Sequence, residues 1–311
     1  MSLACESLLR DRAQLLKKVR AFFDERGILE VDTPLLSPFA PIDTHIDLFE
    51  VKLSETQIGY LHSSPEYGMK RLLSEGSGDI YQLSHVYRKG EYGKLHSPVF
   101  TLIEWYRINS NYSSFIEETL DLFCLFLGPL PHETLTYQTA FQKFLQIDPF
   151  NTSITTLLEA AQNHNLHLKE QPINSLLNEL WGCLIEPQLG QKILTIIHDY
   201  PASQAALAQT IEKQGLHIAE RFEIYYQGIE LANGYHELRD AEEQRRRLEQ
   251  ANRERQSLKK SPLPLDPHFL AALENLPDCY GIAVGFDRLM MLRHKLTEIH
   301  STLALPMNLS H

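Results

Sequence analysis

Residues 86–106 read VYRKGEYGKLHSPVFTLIEWY. Strand-like runs at 79–88 and 99–108 flank a polar loop, 89–97, which predicts an antiparallel pair of strands. Alternation along the second run puts Phe100, Leu102, Glu104 and Tyr106 on one face. A carboxylate two residues from a tyrosine on an apolar face has two readings. It lines a pocket for a cation such as a substrate amine, or it meets a structural arginine at a sheet edge. Arg88 ends the first run, and arginine is the side chain best built for a bidentate grip on carboxylate or phosphate.

Outward from this pair, apolar residues from Leu8 to Phe23 recur at helical spacing, with Gly27 as a stop. Residues 28–31 and 46–53 read as strands. A helix is predicted over 66–73, with Ser63 and Ser64 as caps and Pro65 in its first turn. The stretch 110–216 reads as a mainly helical insertion. Residues 221–235 predict a hairpin turning at Gln227 and Gly228, which can bring Glu223 and Glu230 together. Two such carboxylates repel unless a hard cation lies between them, and the alternative is a solvated sheet face. Over 281–288, GIAVGFDR predicts a strand running through Gly285 into a helix that carries Arg288. That makes either an anion site or an ordinary turn with a salt-bridged arginine. Mixed helices and antiparallel strands predict an α+β fold.

The chain has 311 residues, 43% of them hydrophobic, which excludes a disordered chain, and its net charge of −11 disfavours non-specific nucleic-acid binding. Cys5, Cys124, Cys183 and Cys279 lie far apart without a CxxC pair, so buried, reduced thiols are expected in place of disulfides or zinc. The N-terminal stretch lacks the apolar core of a signal peptide, and no window reaches the length of a membrane span. A cytoplasmic protein is expected. Residues 239–260 form a charged helix with eight Lys or Arg against five Asp or Glu. It either faces an acidic partner or is a solvated helix laced with i,i+4 pairs.

GILEVDTPLL (27–36), residues 86–106 and GIAVGFDRLMML (281–292) together resemble the three signature motifs of class II aminoacyl-tRNA synthetases. SSPEYGMKRLL, FTLIEWY, RFEIYYQGIELANGYHEL and RDAEEQ are similar to the lysyl branch. PASQAALAQ followed by IELANG resembles its short paralogues, the elongation factor P–(R)-β-lysine ligases. The first motif begins within thirty residues, so a catalytic core without an anticodon-binding domain is expected.

The resemblance implies a catalytic core built on an antiparallel sheet flanked by helices, a homodimer formed through the first motif around Pro34, and use of ATP and Mg²⁺. It implies (R)-β-lysine or lysine as substrate and a lysine of elongation factor P as acceptor, with tRNA unlikely. Arg88 and Arg288 would be the catalytic pair. Ser64, Pro65, Glu66, Glu104, Tyr106, Asn233, Tyr235, Glu237 and Ala283 would surround the amino acid. Lys89, Gly90, Glu91, His96, Ser97, Glu230, Leu231 and Gly285 would join the two arginines around ATP, and Glu223 and Glu230 would hold the metal. The chain departs from the family at Lys89 and Gly90, with Glu91 one place late, at Ser97 and Val99 beside Pro98, and at Ala283, where lysyl-tRNA synthetases carry glycine. The departures around residues 89–99 leave a non-catalytic or regulatory paralogue as an alternative reading, and a third keeps the enzyme class but changes the acceptor to tRNA or another amine.

Overall fold

In the computed structural model, which describes residues 3–305 and side chains from Glu6 onward, the N-terminal apolar stripe forms α1 (Leu3–Asp24). Leu15, Val19, Phe22 and Phe23 are buried along it. Gly27, at φ +66°, takes the left-handed conformation that closes the turn after it. Next come β1 (Leu29–Glu30), β2 (Leu36–Ser37), β3 (Phe49–Lys52), β4 (Ile58–Leu61), α2 (Glu66–Ser74), β5 (Ile80–Tyr87), β6 (Val99–Ile108) and α3 (Tyr112–Leu127). The middle of the chain forms β7 (His132–Thr136), α4 (Tyr137–Leu145), α5 (Ile154–Asn163), α6 (Ile173–Leu180), β8 (Leu194–Pro201), β9 (Thr210–Lys213), β10 (Leu216–Tyr226) and β11 (Ile229–His236). The last leg is α7 (Ala241–Ser257), α8 (Pro267–Ala272), β12 (Cys279–Gly285) and α9 (Phe286–Arg293).

Two compact units result, one from residues up to Pro129 and from Leu238 on, the other from Leu130–Glu237. In the first, strands run β1-β5-β6-β12. The predicted β5–β6 pair is antiparallel with Tyr87 opposite Val99, β12 adds antiparallel to β6, and β1 joins β5 in parallel. Ile103 and Trp105 on one face of β6, and Glu104 and Tyr106 on the other, are all buried. A small sheet, β2-β4-β3, completes this unit.

In the second unit, strands run β11-β10-β8-β7, with β9 also on β10. A core of Tyr137, Phe141, Trp181, Tyr200 and Tyr225 lies among its helices and strands. The stretch 110–216 holds more helix than strand, as expected, but β7, β8 and β9 also fall inside it and were not anticipated. Leu194, Thr195, Ile196 and Ile197 are all buried, so β8 has no polar alternation to distinguish it from a buried helix. The compact unit is also displaced from the predicted insertion and includes the hairpin.

Helix α7 favours the solvated reading. Asp240 caps it by accepting from the Glu242 and Glu243 amides, and Arg246 and Arg247 both pair with Glu243. Arg255 is buried, donating to the carbonyls of Asp43 and Ile46. Cys279 is buried, but Cys124 and Cys183 are exposed and free, against expectation. Cys124 follows the buried pair Leu122 and Phe123 and so falls on the outer side of α3. The side chain of Cys5 lies outside the described residues. No helix among the described residues is long and apolar enough to cross a membrane.

Candidate active site

Each unit gathers its own set of predicted residues. In the first, α2 brings Ser64 and Glu66 to β6. The Ser64 hydroxyl donates to Glu104 Oε2 at 2.7 Å and accepts from the Glu66 amide at 3.0 Å. It thus satisfies a helix-end donor, while Pro65, expected in the first turn, is the cap residue itself. The Tyr106 hydroxyl donates to Glu104 Oε1 at 2.7 Å. β6 is an inner strand and these partners are hydroxyls, so the reading of a sheet edge with a structural arginine is set aside.

Glu104 is buried, and loss of hydration pushes its carboxyl up to about 7. The Glu66 charge adds to that rise, against the pull of Tyr106, Ser64 and Lys70. Lys70 was not anticipated as a site residue. It is fully buried and donates to Glu66 Oε1 at 2.6 Å. The i,i+4 spacing of Glu66 and Lys70 was its sequence signal. Ala283 stands opposite Glu104 in the β12–β6 register, so the departure from glycine puts a methyl beside the carboxylate.

At the end of β5, the Arg88 amide donates to the Pro98 carbonyl and its guanidinium lies over Phe100. Its Nε is buried with no hydrogen-bond partner. A buried orphan donor on an arginine is unusual and suits an incoming anion. Gly90 sits at φ +82°, a conformation that explains glycine at this departure from the family pattern. The displaced Glu91 reaches back to within 3.9 Å of Arg88. Lys89 is fixed by its amide to the Asp47 carbonyl, and Ser97 is buried. His96 Nε2 accepts from Arg288 Nη2 at 3.0 Å. Burial, then Arg288 and Arg88, depress the imidazole to about 4, so it is neutral near pH 7. Gly285 caps α9, and a Cβ there would touch the Arg288 side chain at 3.5 Å.

A second unanticipated cluster holds α9. Asp287 is fully buried, accepting from Arg12 of α1 and from the Thr101 amide of β6 at 2.6 Å. The residue before Arg288 is thereby tied to the sheet.

In the second unit the hairpin forms as predicted, with Gln227 at φ +52° and Gly228 at φ +70°. Its register sets Glu223 opposite Asn233, Glu230 opposite Tyr225 and Arg221 opposite Tyr235, with a bulge at Leu231. Glu223 accepts from Arg221 and Tyr200, each at 2.5 Å, and from Tyr225. Burial holds both phenols protonated. Metal ligation by Glu223 would therefore compete with these bonds on a face where the core of this unit closes. Asn233 Nδ2 donates to the Tyr235 hydroxyl, while Asn233 Oδ1 is buried without a donor. Glu237 is buried at the end of β11. Among the described residues, no three His, Cys, Asp or Glu side chains gather as for a metal ion. A divalent ion here would take further ligands from phosphate oxygens and water.

Residues 2–309 match the family model described as tRNA synthetases class II (D, K and N). The chain is 42% identical to an elongation factor P–(R)-β-lysine ligase of Haemophilus influenzae Rd, covering 94% of this chain and 93% of the relative. Like-named proteins of Avibacterium paragallinarum and Salmonella arizonae are each 44% identical, covering 95% and 91% of this chain and 94% and 90% of theirs.

Proposed function

The chain belongs to the class II tRNA synthetases, among the elongation factor P–(R)-β-lysine ligases that it matches over nearly its whole length, and from that premise we propose that it activates (R)-β-lysine with ATP and transfers it to a lysine of elongation factor P. The observation that carries the residue-level reading is Glu104. It is a buried carboxylate held by two hydroxyls and raised by burial, and a substrate ammonium would restore its charged form. Ser64, Pro65 and Glu66 shape that pocket, and Ala283 narrows it. Tyr235 and Glu237 are proposed on the substrate side with Asn233, whose bare Oδ1 offers an acceptor for an amine.

The substrate carboxylate attacks the α-phosphorus of ATP, the bond to the β,γ-phosphates breaks, and pyrophosphate leaves. The nucleophile is already ionised, so the obstacle is charge. Arg88 and Arg288 counter it at the α-phosphate, with neutral His96 holding Arg288. Lys89, Gly90, Glu91, Ser97, Leu231 and Gly285 are the further nucleotide contacts we propose. Magnesium would screen the triphosphate charge, with Glu230 as its protein ligand. Glu223 could join by giving up bonds from Tyr200 and Tyr225. In the second step a deprotonated ε-amine of the acceptor attacks the acyl carbon, AMP leaves, and an amide forms.

We place this reaction in the cytoplasm, with elongation factor P rather than tRNA as acceptor. Leu29, Leu35, Leu36, Leu53 and Ile58 are exposed on or beside β1 to β4, and a Cβ at Gly59 would meet both Leu53 and Leu36 within 3.1 Å. The exposed Leu36 and Leu53, which flank Gly59 on the small sheet, support a homodimer through the first motif. The deciding experiment incubates the protein with ATP, Mg²⁺, elongation factor P and either (R)-β-lysine or lysine. A mass gain of one residue on the factor is expected with (R)-β-lysine. An unmodified factor, beside an active control ligase, would overturn the proposal.

A further inference from the structure

Two carboxylates and one ammonium are buried around the proposed amine pocket, and the ammonium belongs to the protein. Glu66 and Glu104 reach it from α2 and β6. Lys70, one turn beyond Glu66, is fully buried and bonded to it at 2.6 Å. Burying an ammonium is expensive, and the nearby carboxylates compensate that cost. With Lys70 charged, the three groups sum to one negative charge when Glu104 is ionised.

We propose that Lys70 is a positioning residue that occupies Glu66 and sets the pocket to receive one substrate ammonium at Glu104. This rests on the functional reading above. Without Lys70, two adjacent buried carboxylates would face each other, and such pairs hold a proton between them. Glu104 would then meet the substrate amine as a neutral acid. The other groups around Glu104 do not supply this balance. Ser64 and Tyr106 donate neutral hydroxyls, while Gln82 and Ala283, opposite it on β5 and β12, carry no charge. Behind Lys70, the buried Tyr67 phenol stays protonated amid the fields of Glu66, Lys70 and Asp266. Glu66 raises Glu104 and Lys70 lowers it, the two opposing effects this arrangement requires.

The test titrates Glu104 in the free, full-length protein by carboxyl ¹³C NMR, assigned with Glu104→Gln. In Lys70→Met the midpoint should rise by about one pH unit or more. Lys70→Arg, which keeps the charge, should leave it near the wild-type value. The double variant Glu66→Gln/Lys70→Met should bring it back to or below that value, since both opposing charges are gone. Affinity for (R)-β-lysine near pH 7 should fall about fivefold in Lys70→Met, because a one-unit rise from about 7 lowers the ionised fraction there from about one half to about one tenth. A midpoint unmoved in Lys70→Met, or one that stays high in the double variant, would overturn the inference. Should Lys70→Met not fold, the double variant paired with Glu66→Gln decides: removing Lys70 in that background must still raise the midpoint. Failure of the functional reading shows separately, as a wild-type protein without (R)-β-lysine-dependent pyrophosphate exchange.

Discussion

Glu104 is held in a pocket that disfavours its charge, and this has a consequence for stability. Its carboxyl is raised in the fold above the ordinary value of 4.5, so the native state binds more protons than the unfolded chain between about pH 4.5 and 7. Its contribution therefore declines as pH rises through that window. Glu104→Gln is expected to melt higher than wild type at pH 8, with the gap closing below about pH 4.5. The same variant should lose amine-dependent pyrophosphate exchange. Thermal denaturation across pH, beside the exchange assay, checks both. A lower melting point at pH 8 would mean that the carboxylate is stabilising as it stands. Arg88 and His96 make a second residue-scale prediction. Arg88→Ala should lower adenylate formation by about 10²–10³, the cost of removing one preorganised donor. His96→Ala should raise the KM for ATP about tenfold by removing one of the bonds that orient Arg288, and His96→Gln, which keeps an acceptor, should recover much of it. Equal losses in the two His96 variants would rule out the acceptor role.

At the scale of elements, the two-residue turn between β10 and β11 is the most constrained. Both Gln227 and Gly228 have positive φ, as hairpin twist demands, and a Cβ at Gly228 would meet the Pro187 backbone at 3.0 Å. Gly228→Ala should destabilise the protein by about 1–2 kcal/mol, whereas Gln227→Gly should be neutral or stabilising. Urea denaturation distinguishes them. Asp287 ties α9 to α1 and β6, and Asp287→Ala should cost about 3 kcal/mol, because it strands the Arg12 charge and the Thr101 amide. β6 and the hairpin were legible because their side chains alternate or turn on Gly. β8 was not, since a strand buried on both faces carries no periodic signal. Arg12 and Asp287 were equally hidden, since 275 positions separate them and no local pattern links them.

At the scale of the whole molecule, the exposed leucines around β1 to β4 make an assembly prediction. If this patch covers a second copy, Leu36→Asp together with Ile58→Asp should convert a dimer to a monomer by light scattering, with the fold retained by circular dichroism. A wild-type protein that is monomeric throughout would remove the proposed dimer. The basic helix α7 gives no such expectation. Its Arg246, Arg247 and Arg255 already have carboxylate or carbonyl partners, so counting its charges overstated what it offers another surface.

The residues by themselves determined the α+β class, the strand pair around the 89–97 loop, the hairpin turn and the family, because these depend on side-chain period and local order along the chain. Tertiary structure alone decided the charge state of the proposed amine pocket. Lys70 reaches Glu66 from one turn along a helix, but Glu104 comes from a strand more than thirty residues later. Burial removed the water that would have screened the three groups from one another. Within the second unit, burial likewise engaged Glu223 with two tyrosines and an arginine, an outcome its place in the sequence did not display.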